Sequence, residues 1–195
     1  MVKNFFYSLV AILFFSQLSS QSVLADTPAG AQSFIEDLGR RAINSLTKPG
    51  VSQEQLESSF EKLLNEGFDV PGIAKFVMGR YWAQMSSEQK EKFIPLFKAR
   101  LKKSYANRFQ AYRGVVFVVK DARQESGHVI VSSTIQKPGE ALTPVEWRVE
   151  GGKIHDVKVE GVSMSITIRD EYNALVQSNN RDIEKFMSMI AGSVQ

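Results

Sequence analysis

Apolar residues along this chain change their spacing twice, and the changes divide it into helix, strand and helix. Between Ala29 and Leu46 the apolar positions Phe34, Ile35, Leu38, Ala42 and Ile43 recur every three or four residues, which predicts an amphipathic helix closed by "KPG" at Lys48 to Gly50. Ser52 and Gln55 stand at capping-box spacing before a second helix bearing Leu56, Phe60, Leu63 and Leu64, which stops near Gly67. Asp69 is placed to cap a short third helix with Ile73, Phe76 and Val77. Ser86 and Gln89 repeat the box at the head of what the pattern predicts to be the longest helix.

In that helix Phe93, Phe97, Leu101, Tyr105 and Phe109 follow one another at four-residue steps. Each step overshoots a turn by about 40°, so the row sweeps roughly 160° and needs two surfaces, or one curved surface, to cover it. Pro95 lies inside this pattern, where it removes a backbone hydrogen bond and kinks the axis unless the helix starts late enough to place it in the first turn.

Beyond Gly114 the period falls to two or to continuous apolar runs. "VVFVV" from Val115 to Val119 and the β-branched stretch from Val129 to Ile135 predict strands. Val145, Trp147 and Val149 alternate with Glu146, Arg148 and Glu150, and Ile154 to Val159 returns across two glycines. A two-residue turn with a regular ladder puts Trp147 opposite Asp156, whereas a three-residue Gly151-Gly152-Lys153 connection pairs Trp147 with Val157 and Val145 with Val159; the apolar match favours the second. Helical spacing then resumes with Tyr172, Leu175 and Val176, and again with Ile183, Phe186, Met187 and Ile190. Helices, then strands together, then helices predict an α+β domain whose helices cover one face of a curved antiparallel sheet, with the aromatic-rich helix as its lid.

The N-terminal residues alter the expected compartment. Lys3, an apolar run from Phe5 to Phe15, a polar stretch and Val23-Leu24-Ala25 follow the order of a secretory signal peptide. That run is far shorter than the ~20 residues a spanning helix needs. The expected division is 1–25 as signal peptide, cleaved after Ala25, and 26–195 as one soluble domain. The chain holds no cysteine, which excludes thiol catalysis, cysteine-ligated metal and a lipid-anchored cysteine. A net charge of +3, or +2 without Lys3, makes no case for a nucleic-acid partner.

His128 and His155 are the two candidate neutral-pH bases, both in expected strands without a serine or carboxylate at a recognisable motif spacing. The motifs of serine hydrolases, zinc peptidases, P-loops and dinucleotide folds are absent. Glu160, beside Gly161, is the remaining carboxylate of interest. Lys98, Arg100, Lys102, Lys103 and Arg108 populate the aromatic helix; a solvated face is the ordinary account of them, and contact with an anionic membrane or partner the sharper one. Nine of the 20 aromatic residues fall between Phe76 and Phe117, a density that fits either plain core or a ligand pocket.

Two stretches carry a resemblance. "VMGRYWAQMSSEQKEKFIPLFKARLKKSYANRF" and "IHDVKVEGVSMSITIRDEYNALV" resemble the MlaC family, also called toluene-tolerance auxiliary proteins, which includes a hopanoid-associated branch; Pro95 departs from the helix former expected there. The resemblance implies an NTF2-like α+β shape around an apolar cavity. It implies a periplasmic phospholipid carrier, not an enzyme and without cofactor. Such a carrier passes lipid between an outer-membrane lipoprotein complex and an inner-membrane ABC transporter with its substrate-binding subunit, and so maintains outer-membrane asymmetry.

At about 0.8 kcal/mol per methylene, both tails of a lipid must leave water together, so the cavity must be deep and apolar, on the order of several hundred to a thousand Å³. Its expected wall is Phe76, Phe93, Phe97, Leu101, Tyr105, Phe109, Trp147, Val157, Val159, Val162 and Met164, with Tyr81 and Trp82 assigned to packing. The alternatives are a carrier of hopanoid or another envelope lipid, a small periplasmic NTF2-like enzyme acting on a hydrophobic substrate through His128, His155 or Glu160, and a structural module with a filled core.

Overall fold

The structure, a computed structural model, describes residues 26–194; the expected signal peptide and its cleavage point lie outside them. Among the described residues six α-helices pack with a five-stranded antiparallel sheet. They are α1 (Pro28–Leu46), α2 (Gln53–Gly67), α3 (Val70–Met78), α4 (Ser87–Tyr105), α5 (Met164–Ser178) and α6 (Ile183–Gly192). The strands β1 (Val116–Glu125), β2 (His128–Gln136), β3 (Thr143–Glu150), β4 (Lys153–Val159) and β5 (Val162–Ser163) lie in sequence order, and β1 does not pair with β5, so the sheet stays open. The α+β class with helices on an antiparallel sheet is the one the sequence predicts.

Local signals set the helix starts. Ser52 accepts from the Gln55 amide while the Gln55 side chain accepts from the Ser52 amide, and Ser86 and Gln89 make the same reciprocal pair. Asp69 accepts from the Gly72 amide and begins α3 with Pro71 in its first turn. Pro95 lies in the interior of α4 on an exposed face and does not end the helix. The aromatic helix is shorter than its pattern predicts: α4 stops at Tyr105 and a 3-10 segment carries Ala106 to Tyr112, so Phe109 leaves the α-helical row. α4 and α1 are each 19 residues long.

The β3–β4 hairpin pairs Trp147 with Val157 and Val145 with Val159, the register that apolar matching predicts. Its route differs from the expected three-residue connection. Glu150 pairs with Lys153 across Gly151-Gly152, both glycines having positive φ as a tight primed turn requires, and the register then shifts by one at His155. A bulge in β4, not a longer loop, supplies the extra residue. Tertiary contacts hold it: the Asp69 amide donates to Ile154 O at 3.0 Å, and the His155 Nδ1 lies 3.5 Å from Asp69 Oδ2.

Two apolar clusters result. In the first, α1 lays Ala31, Ile35 and Leu38 across the inner sheet face of Val129, Val131, Val149 and Ile154. In the second, α3 to α6 bury Val77, Met78, Tyr81, Phe93, Phe97, Tyr172, Val176 and Phe186 among themselves. The helix lying on the sheet is therefore α1, while the aromatic-rich α4 packs on other helices, α2, α3 and α6.

The β4-to-α5 corner is tied by one carboxylate. Asp156 accepts from Ser163 Oγ at 2.6 Å, Ser165 N at 3.0 Å and Ser165 Oγ at 2.7 Å, and Ser163 Oγ in turn caps the Ile166 amide. Asp156→Ala is expected to lower unfolding stability by about 2–4 kcal/mol, because it strands three donors at once. A urea titration monitored by circular dichroism checks this, and Asp156→Asn should recover part of the loss.

Candidate functional site: an apolar groove between α1 and β1

The sheet's inner face presents Phe117 and Val119 from β1, Val129, Val131, Ser133 and Ile135 from β2, Val145, Trp147 and Val149 from β3, and Ile154, Val157 and Val159 from β4, as the pairing register dictates. Helix α1 covers the part nearest Val129, Val149 and Ile154. Beside it, between α1 and β1, opens a groove of about 420 Å³ lined by Ile43, Val115, Val116, Phe117 and Val119, with Glu36, Arg40 and Asn44 also contributing.

Phe117 sets how far α1 stands from the sheet. Its ring lies so close over Gly39 that a Cβ there would meet Phe117 Cε1 at 2.3 Å. The same ring meets Trp147 edge to face with centroids 6.2 Å apart. Trp147 is fixed in turn by Nε1 donating to Ser133 Oγ at 2.8 Å, and Ser133 donates to Val145 O at 3.2 Å. The buried serine thus satisfies the one polar atom of the indole and leaves its apolar body for the α1 side.

Charge lies at the groove's edge. Arg40 pairs with Asp37, and Arg41 bridges Asp37 at 2.8 Å and Glu66 of α2. The Arg40 guanidinium, helped by Arg41, holds the Asp37 carboxyl below its usual range against a smaller opposing effect of burial. At the centre of the inner face the polar groups of Ser133 and the Trp147 indole are bonded to each other, while Gln124 and Thr143 stand at its margins.

The eleven residues expected to wall a cavity fall in four places. Phe93 and Phe97 are fully buried in the helical cluster, stacked at 5.9 Å and both against Tyr172, with Phe93 also meeting Trp82 and Phe186. Leu101 and Tyr105 are half-buried farther along α4, and Phe109 turns to Phe60 of α2 at 5.9 Å. The row does meet two surfaces, α5 and α6 at one end and α2 at the other. Trp147 and Val157 join the α1–sheet cluster, with Val159 half-buried at the end of the same face. Phe76 and Val162 are exposed at 40% and 59%, and Met164 is half-buried at the start of α5.

None of the eleven is among the groove's lining residues. The lining side chains Ile43, Val115, Val116, Phe117 and Val119 were legible only as parts of a helix and of "VVFVV". A usable signal was Gly39, because glycine inside a helix costs about 1 kcal/mol and so marks a close approach.

Burial raises the pKa of the Tyr172 and Tyr105 hydroxyls, so both stay neutral. His128 lies 3.9 Å from Glu125, and Glu160 stands at positive φ in the turn before β5; with His155 in the β4 bulge, all three lie away from the groove lining. The basic face of α4 is largely neutralised. Lys102 and Lys98 pair with Glu61, whose pKa they depress, and Arg100 faces Glu171 at 3.8 Å.

Comparison with known proteins agrees with the fold. The solved structure of a phospholipid-binding protein from Ralstonia solanacearum, in complex with a phospholipid, superposes with a TM-score of 0.71 at 20% identity, over 83% of this chain and 98% of that one. At that identity the likeness is one of fold. The toluene tolerance protein ttg2D of Pseudomonas putida is 28% identical over 142 residues, which cover 70% of this chain and 66% of the relative's length. The family model described as MlaC protein matches residues 36–191, from the middle of α1 to the end of α6, and the chain accordingly belongs to the MlaC family.

Proposed function

We propose that this protein is a periplasmic carrier that binds the acyl chains of a phospholipid between α1 and the sheet and moves the lipid through water between membranes. The observation that carries this reading is the groove. Its walls are mainly apolar with Glu36 and Arg40 at its edge, and its volume of about 420 Å³ is that of a small-molecule site, which movement of α1 away from the sheet would enlarge to take both tails. Family membership and the phospholipid bound to the R. solanacearum neighbour point the same way.

The chemistry is binding without reaction. Each methylene removed from water contributes about 0.8 kcal/mol, so a two-tailed lipid leaves a bilayer only for a site that takes both tails. Phe117 and Trp147 meet edge to face between the groove and the rest of the inner face, and their separation admits the tails beneath α1. The charged rim keeps the headgroup in water. The carrier receives and delivers lipid at an outer-membrane lipoprotein complex and at the substrate-binding subunit of an inner-membrane ABC transporter, where docking shifts α1 between closed and open positions.

Native mass spectrometry of protein purified without detergent tests this. The expected result is a mass increment of one phospholipid per chain, with lipid extraction naming the cargo and separating phospholipid from hopanoid. A clean apo mass that acquires nothing from phospholipid vesicles would overturn the reading.

A further inference from the structure

A second apolar surface lies away from the groove, where α3 meets the start of α5. Val162, Ile166 and Phe76 are 59%, 50% and 40% exposed, high values for large apolar side chains. The α3–α5 contact groups them: Val162, in β5, directly precedes Ser163, the cap of α5, and Ile166 and Arg169 share a face of α5. Arg169 reaches to α3, with its guanidinium carbon 5.3 Å from the centre of the Phe76 ring. It also lies against Gly79, whose absent side chain leaves room for Arg169 Nε at 3.3 Å from where a Cβ would stand.

Arg80 follows Gly79, the residue Arg169 lies against, in the 3-10 turn after α3, and donates to Tyr81 Oη at 3.1 Å. Neither Arg80 nor Arg169 is in an ion pair among the described residues, whereas Lys98, Arg100 and Lys102 of α4 all face carboxylates. Of the nearby acids, Glu160 stands on the turn before β5, and Asp170 projects about 100° around α5 from Arg169.

We propose that Val162, Ile166 and Phe76, flanked by Arg80 and Arg169, form a docking surface for an anionic phospholipid bilayer. The pattern is that of an interfacial surface. Short apolar side chains enter the boundary between headgroups and acyl chains, while guanidinium groups on long stems remain at phosphate level. A protein groove matched to this patch would have to supply carboxylates to both arginines, while an anionic bilayer supplies phosphates anywhere along the edge. The surface is separate from the acyl-chain groove, so it stands or falls independently of the carrier reading.

Co-sedimentation with vesicles of phosphatidylglycerol and phosphatidylcholine, against vesicles of phosphatidylcholine alone, tests it. A basic residue near an anionic surface contributes about 1 kcal/mol, or roughly fivefold in binding. The pair Arg80→Gln and Arg169→Gln should weaken binding about 25-fold, and 500 mM salt should do the same. Phe76→Ser with Ile166→Ser should abolish binding to either vesicle. All four positions are exposed, but Arg80→Gln gives up the hydrogen bond to the buried Tyr81; Arg169→Gln alone keeps it, so in that variant and in Phe76→Ser with Ile166→Ser the lipid content by native mass spectrometry and the melting temperature should stay unchanged. Equal binding by the variants, equal affinity for neutral vesicles, or a photocrosslinker at Ile166 that captures a protein and no lipid would each overturn the proposal.

Discussion

Phe97→Ala is expected to lower unfolding stability by about 3–5 kcal/mol and the melting temperature by on the order of 10 °C, whether or not lipid is bound. Phe97 is fully buried, stacks on Phe93 at 5.9 Å and meets Tyr172 edge to face at 6.1 Å. Removing its ring leaves a cavity among side chains from α3, α5 and α6 that cannot collapse without moving Tyr172, whose own ring sits 5.2 Å from Phe186. A wall of a lipid cavity behaves differently. Truncating such a wall enlarges a space that lipid fills, so most of the lost stability returns on loading, as mass action requires. Calorimetry on delipidated and lipid-loaded protein separates the cases: a deficit of similar size in both marks Phe97 as helical core, and one confined to the delipidated form would make it a ligand contact.

The same residue shows what was legible in the sequence. Four-residue spacing states that Phe93 and Phe97 are buried, and that the row must meet more than one surface, because both follow from the 3.6-residue turn. It says nothing about which surfaces. Helix α1 and helix α4 are equally long and both amphipathic, so choosing the aromatic one as the lid on the sheet rested on side-chain size alone. Closeness of approach decides instead: α1 carries Ala31 and Gly39 where it meets the sheet, and bulky residues there would hold the layers apart.

Helix starts were legible for the opposite reason, since Ser52 with Gln55 and Ser86 with Gln89 satisfy their amides within one turn. The β4 bulge was not. The apolar pattern gave the pairing of Trp147 with Val157, but the placement of the extra residue at His155 depends on Asp69 and Phe68, almost ninety positions earlier in the chain. Tertiary contacts of that range leave no local trace.

Gly39 also offers the sharpest test of where lipid sits. A Cβ at residue 39 would overlap Phe117 Cε1 at 2.3 Å, well inside any tolerated contact, and the ring's neighbour on the sheet, Trp147, is pinned through Ser133. In Gly39→Ala the Phe117 ring therefore turns toward the groove it lines. Against the usual benefit of alanine over glycine in a helix, overpacking of this kind costs about 1–3 kcal/mol. The larger effect is on cargo: co-purified lipid should fall at least fivefold, because the displaced ring occupies the entry to the inner face. Phe117→Ala removes the obstacle, so the double variant Gly39→Ala with Phe117→Ala should regain lipid although its stability remains below that of the parent. That non-additivity belongs to two residues in direct contact. Lipid content unchanged in the single variant would place the tails elsewhere, and loss in both the single and the double variant would show that Gly39 acts through the fold of α1 and not through the groove.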